Sequence, residues 1–190
     1  TGALEAEPAG LFAETEPNPT ERQAREATEA YKASGADSLI ALGGGSSMDM
    51  AKIVGLMATH EGPYEQYGAL KGGARKIGKI PPLVAIPTTA GTGSEVSVGA
   101  VAILDNGTKE TIVSPNLIPA TAICDPDLTL GLPAGMTAAT GMDAVTHCIE
   151  SVLSPNANPP AEGIGYDGVH RAVGNGWLKR AVADGSDAEA

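Results

Sequence analysis

The feature that most constrains this chain is a short apolar run, Ser38-Leu-Ile-Ala-Leu42, that meets Gly43-Gly-Gly45-Ser46-Ser47 and then Asp49-Met-Ala-Lys-Ile-Val-Gly-Leu-Met57. The apolar residues of the last string recur at helical spacing, and the first string has the length of a strand. Strand, glycine turn and helix make half of a βαβ unit, which points to an α/β fold. A parallel strand buried on both faces reads as a continuous apolar run, so Ser38 to Leu42 is expected to be covered on both sides.

Flanking segments fit that frame. Thr20, after Pro17-Asn-Pro19, is the predicted cap of a helix from Glu21 to Lys32 with Ala24, Ala27 and Tyr31 on one face. Residues 61–79 read as loop. A second strand is predicted at Leu83-Val-Ala-Ile86, followed by the small, hydroxyl-rich loop Thr88-Thr-Ala-Gly-Thr-Gly-Ser-Glu95. Val96 to Leu104 and Thr111 to Val113 surround Asp105-Asn-Gly-Thr108, a hairpin signal. Leu117 to Asp125 reads as one more strand. After a boundary at Asp127 to Pro133 the pattern becomes helical as far as Leu153. A second helix follows, weakened by Gly163, Gly165, Gly168, Gly174 and Gly176 and expected to be poorly ordered.

Charge and cysteine content narrow the function. With 23 acidic against 12 basic residues the net charge is -11, which disfavours nucleic acid and anionic membrane as partners. Cys124 and Cys148 stand too far apart for a zinc ribbon and too few for a disulfide scaffold, so a reducing, cytoplasmic setting is the expectation.

Three places can carry chemistry. Glycines between a strand and a helix let backbone approach a ligand, and the helix N-terminus favours an anion such as a pyrophosphate. The same three glycines also suit a tight βα turn that binds nothing. Loop 88–95 offers hydroxyls and amides at a strand end, where open α/β sheets bind ligands, and the two loops are expected to share a cleft. Asp143 and His147 lie four apart on one helical face and can hold a divalent metal, although such pairs are more often surface hydrogen bonds. They are expected to point into an open groove without a third protein ligand. His60 and His170 are expected to be exposed, Cys148 to be packed, and Trp177 to anchor the last helical turn.

Taken together, the strings Ala41-Leu-Gly-Gly-Gly-Ser-Ser-Met-Asp-Met-Ala-Lys52, Ile86-Pro-Thr-Thr-Ala-Gly-Thr-Gly-Ser-Glu-Val96 and Thr137-Ala-Ala-Thr-Gly-Met-Asp-Ala-Val-Thr-His-Cys-Ile-Glu150 closely resemble the iron-containing (group III) alcohol dehydrogenase family. Ile112-Val-Ser-Pro115 and Asp125-Pro-Asp-Leu-Thr129 add to the resemblance. It implies a Rossmann-like NAD(P)-binding α/β domain, here residues 1–130, and the beginning of an all-α metal-binding domain, residues 131–190, in a dehydroquinate synthase-like architecture. It implies that Gly44, Gly45, Ser46 and Asp49 form the pyrophosphate turn. Thr88, Thr89, Thr92, Ser97, Val101 and Lys109 match positions lining NAD or NADP, and Asp143 and His147 match two of four ligands of a catalytic Fe(II) or Zn(II).

The implied activity is hydride transfer between a small alcohol and an aldehyde or ketone by a homo-oligomeric parent. The chain reads as a fragment: a family member is longer at both ends, with a leading strand–helix–strand segment and helices that supply two further histidine ligands. Neither His60 nor His170 takes those places, so this stretch alone is expected to be inactive. The alternatives are a non-catalytic nucleotide-binding remnant, or a same-fold relative such as a glycerol dehydrogenase, a hydroxyacid–oxoacid transhydrogenase or a maleylacetate reductase.

Overall fold

The structure, a computed structural model, describes residues 7–156 and 158–190. The chain gathers into two compact units, one of Thr1–Ile86 with Ser94–Ile123 and the other of Pro87–Gly93 with Cys124–Ala190.

In the first unit, helix α1 (Glu21–Ser34) begins at Thr20. The Thr20 hydroxyl accepts the Gln23 N–H while the Gln23 side chain takes the Thr20 N–H, a capping box that satisfies two end groups at once. Strand β1 (Leu39–Gly43) leads into α2 (Gly45–Thr59), and β2 (Leu83–Pro87) lies between β1 and the two-residue β5 (Thr121–Ala122). β5 runs parallel to β2, with Val84 opposite Thr121. Strands β3 (Gly99–Ile103) and β4 (Lys109–Val113) form the expected antiparallel hairpin, with Ala102 opposite Glu110.

α2 is the centre of this unit. Met48 packs with Ala41, Leu83 and Ala85 of the sheet. Met50, Ile53, Val54 and Met57 meet Ala24 and Ala27 of α1 and Ala100 and Ala102 of β3, and Leu56 joins Tyr67, Ile77, Ile112 and Leu117. A helix with apolar contacts on every side is interior, not amphipathic.

Four expectations need correcting here. α2 starts at Gly45, so Gly45, Ser46 and Ser47 are its first turn rather than part of a loop. β1 is covered on one face only: Ala41 is buried under α2, whereas Ile40 and Leu42 are 54% and 60% exposed. The strand read from Leu117 to Asp125 shrinks to two residues. Ser114 caps a 3-10 turn at Pro115–Leu117 in front of it, and a second such turn at Pro126–Thr129 closes it. Residues 61–79 contain three 3-10 turns, pinned by a half-buried His60 rather than an exposed one. His60 Nε2 accepts the Gly78 N–H at 2.8 Å, Nδ1 lies 3.2 Å from Leu56 O, and the ring stands edge-on to Tyr67.

In the second unit, α3 (Ala134–Leu153) follows Pro133, and α4 (Pro159–Val169) is capped by the Asn158 side chain accepting the Ala161 N–H. A π turn at His170–Gly174 leads to α5 (Trp177–Ala183), with the Arg171 guanidinium over the Trp177 ring at 5.7 Å. Trp177 thus anchors the start of the last helix, and His170 is exposed as expected. The glycine-rich segment is helical, not irregular, and two of its glycines, Gly165 and Gly168, are contact points with α3. A Cβ on Gly165 would lie 2.7 Å from Cys148 O, and one on Gly168 would strike the Cys148 sulfur. Close helix approach offsets the propensity that those glycines cost. Among the described residues no helix is long and apolar enough to cross a membrane.

Candidate nucleotide turn and metal pair

The turn between β1 and α2 can be made only with glycine. Gly43 has φ 145, and a Cβ there would sit 2.8 Å from the Ser47 Cβ. Gly44 is the N-cap of α2 and supplies no side chain to it. The first helical bonds to the Gly44 carbonyl come from Ser47 N–H at 3.1 Å and Met48 N–H at 3.2 Å. The amides of Gly45 and Ser46 therefore precede the ladder and suit an anion, with the positive end of the helix dipole behind them.

Two more residues border this turn. Asn18 is the one non-glycine residue with positive φ, 57, among those described, and its N–H reaches Ser46 Oγ at 3.4 Å. Its Oδ1 accepts Lys109 Nζ at 2.9 Å, which brings the exposed Lys109 ammonium into the neighbourhood of the turn. The sequence reading passed over Asn18, although an asparagine between two prolines is a signal for unusual backbone.

Asp49 lies on α2 itself, and Ser97 is joined to that helix through Lys52. Asp49 Oδ1 accepts the Ser94 hydroxyl at 2.7 Å and Oδ2 accepts the Val101 N–H at 3.0 Å. Burial pushes the Asp49 carboxyl above the usual carboxylate range, against the pull of those two bonds and of the Lys52 and Lys109 charges. Lys52, which the sequence reading did not single out, is fully buried. It donates to Ser97 O at 3.0 Å, Ser97 Oγ at 3.2 Å and Gly99 O at 2.7 Å, and burial lowers its ammonium to about 8.

Thr88, Thr89 and Thr92 belong to the second unit, where Thr88 and Thr89 are half-buried and Thr92 is exposed. Their loop lies on α3. Gly91 has φ 126, and a Cβ on it would strike Thr140 O and come within 3.2 Å of Asp143 Oδ2. At this contact His147 Nδ1 stands 3.0 Å from the Gly91 carbonyl. A carbonyl only accepts, so Nδ1 carries a proton, and in the neutral imidazole Nε2 is the nitrogen with the lone pair.

That is the tautomer of an imidazole ready to ligate, with its second nitrogen fixed by a backbone oxygen. Asp143, one turn earlier and half-buried, adds a carboxylate to an exposed His147, a donor set that fits Fe(II) or Zn(II). Among the described residues no group of three or more His, Cys, Asp or Glu side chains is placed to hold a metal.

Residues 2–126 match the family model described as iron-containing alcohol dehydrogenase. The 4-hydroxybutyrate dehydrogenase of Cupriavidus necator is 52% identical over 189 residues, 99% of this chain and 49% of the relative. A crystal structure of 1,3-propanediol oxidoreductase superimposes with a TM-score of 0.87 at 38% identity, covering 95% of this chain and 46% of the other. The sulfoacetaldehyde reductase of Bifidobacterium kashiwanohense, solved in complex with NAD+, gives a TM-score of 0.84 at 33% identity, covering 94% of this chain and 46% of the other. This chain therefore spans about half the length of the curated relatives it matches.

Proposed function

Because this chain belongs to the iron-containing alcohol dehydrogenase family, we propose that it is part of a metal-dependent dehydrogenase moving hydride between a small alcohol and NAD. The observation that carries the reading is the His147 ring, held by Gly91 O with Nε2 available one turn from Asp143. When bound, the metal supplies Lewis acidity and the nicotinamide accepts or gives the hydride.

The chain's own residues do the holding. The amides of Gly45 and Ser46, on the Gly43–Gly44 turn, take the pyrophosphate. Lys109 adds positive charge beside them through Asn18. Thr88, Thr89, Thr92, Ser97 and Val101 line the dinucleotide, and Asp143 and His147 supply one carboxylate and one imidazole to Fe(II), with Zn(II) as the alternative. Identity of 52% to a 4-hydroxybutyrate dehydrogenase makes a hydroxy acid the first substrate to try. Two free cysteines support a reducing, cytoplasmic setting.

NADH titration of the 190-residue chain, followed by fluorescence, tests the nucleotide half. A Gly45→Val change is expected to weaken binding about tenfold, because its side chain enters the space proposed for the pyrophosphate. Unchanged affinity in that variant refutes the turn's role. Two protein ligands hold a metal weakly, so this chain is expected to bind NADH without turning over alcohol. Turnover that His147→Ala abolishes would contradict that.

A further inference from the structure

We infer that Asp49 and Lys52 are positioning residues that lock segment 94–101 onto α2, so that the glycine turn and the proposed nucleotide-lining residues Ser97 and Val101 form one block. The inference rests on the dinucleotide reading above and concerns how that site is kept in shape. Asp49 and Lys52 are three residues apart, hence on one side of the helix. Between them they reach four residues of the segment: Ser94 and Val101 through the carboxylate, Ser97 and Gly99 through the ammonium.

The valences are filled. A lysine ammonium has three protons, and Lys52 faces three acceptors. Each Asp49 oxygen has its own donor. Lys52 is fully buried, so it has neither a spare proton nor an open path to a phosphate. It acts through the segment it holds and not by touching the cofactor.

An apolar residue of similar volume would avoid the cost of taking a cation out of water, but it would leave Ser97 O and Gly99 O without this donor. A helix otherwise packed with Met, Ile, Val and Leu keeps a charge at the place where it meets the segment leading into β3. The charged groups acting on the Lys52 ammonium are Asp49 on its own helix and Glu95 on the held segment, and Lys109 of β4 acts on Asp49.

The test combines NADH affinity, its pH profile and amide exchange in the 190-residue chain. Lys52→Met is expected to raise the NADH Kd about tenfold at pH 7, the worth of one charge-assisted hydrogen bond, and to speed Val101 amide exchange while α1 amides keep their protection. Asp49→Asn, which changes one donor–acceptor match, is expected to shift both readouts the same way by less. The unaltered chain should lose affinity as pH rises through about 8, where Lys52 loses its third proton. Lys52→Arg keeps its charge over that range and should bind with a flat profile.

The unaltered chain and Lys52→Arg also decide the matter if Lys52→Met does not fold. Equal NADH affinity in all variants, or the same alkaline loss in Lys52→Met and Lys52→Arg as in the unaltered chain, overturns the positioning role alone. No NADH binding by the unaltered chain overturns the dinucleotide reading and the cofactor consequence with it. Exchange at Val101 then still decides whether the brace exists.

Discussion

Lys52 makes a second, independent prediction, about folding stability. Its ammonium is lowered to about 8 in the folded chain, chiefly by burial, with Asp49 and Glu95 pulling the other way. An unfolded lysine titrates near 10.5. Between those limits the unfolded chain binds more protons than the folded one, so stability rises with pH across the window. From pH 7 to 9.5 the linkage amounts to about 2 kcal/mol.

Other groups titrate in the same range, so the quantity to measure is a difference. Urea unfolding of the unaltered chain and of Lys52→Met at pH 7, 8.5 and 9.5 isolates the lysine if the two curves are subtracted. The unaltered chain should gain on the variant as pH rises. A difference that stays constant within about 0.5 kcal/mol, the scatter of such comparisons, refutes an ammonium whose pKa is lowered by burial in the folded chain.

Two further outcomes test the scaffold. Gly168→Val drives a side chain against the Cys148 sulfur and should destabilise the second unit by about 1–3 kcal/mol, with part recovered when Cys148→Ala is added. Helical circular dichroism during urea unfolding reads both, and an unaltered midpoint for the single variant refutes the close α3–α4 contact. Thr20→Ala removes the acceptor of the capping box and should cost about 1 kcal/mol, while Thr20→Ser retains most of it. Equal losses in the two variants would show that the hydroxyl is not the cap.

Much of this was legible from the order of residues. Thr20 caps the first helix, Asp105-Asn-Gly-Thr108 turns the hairpin, and the apolar run before Gly43 is a strand. The errors have local causes. Ile40 and Leu42 read as buried because an apolar run carries no record of which face finds a partner. His60 read as loop surface because its partner, the Gly78 amide, is eighteen residues away. Gly165 and Gly168 read as helix weakeners because propensity scales describe an isolated helix. Here the missing side chains are what lets α4 lie against Cys148.

The candidate sites are where local rules break most sharply, and that is itself an argument about function. Gly43 at φ 145 and Asn18 at φ 57 adopt backbone that ordinary side chains avoid, and both border the Gly44–Ser46 turn. Gly91 at φ 126 does the same beside Asp143 and His147. Lys52 breaks the binary pattern of an interior helix two turns from its N-terminus. Asn18 in the left-handed region and the buried Lys52 cost stability where they stand, and folding alone would favour a relaxed turn and an apolar side chain there. What the departures have in common is the chemistry proposed for the residues around them. Two of them expose or border amides suited to an anion, one fixes the tautomer of an imidazole, and one holds the segment carrying Ser97 and Val101. The other positive-φ glycines, such as Gly35 at the end of α1 and Gly107 in the hairpin, have moderate φ and end a helix or turn a strand, whereas the two with the largest φ, Gly43 and Gly91, border the turn and the Asp143–His147 pair proposed for a dinucleotide and a divalent metal.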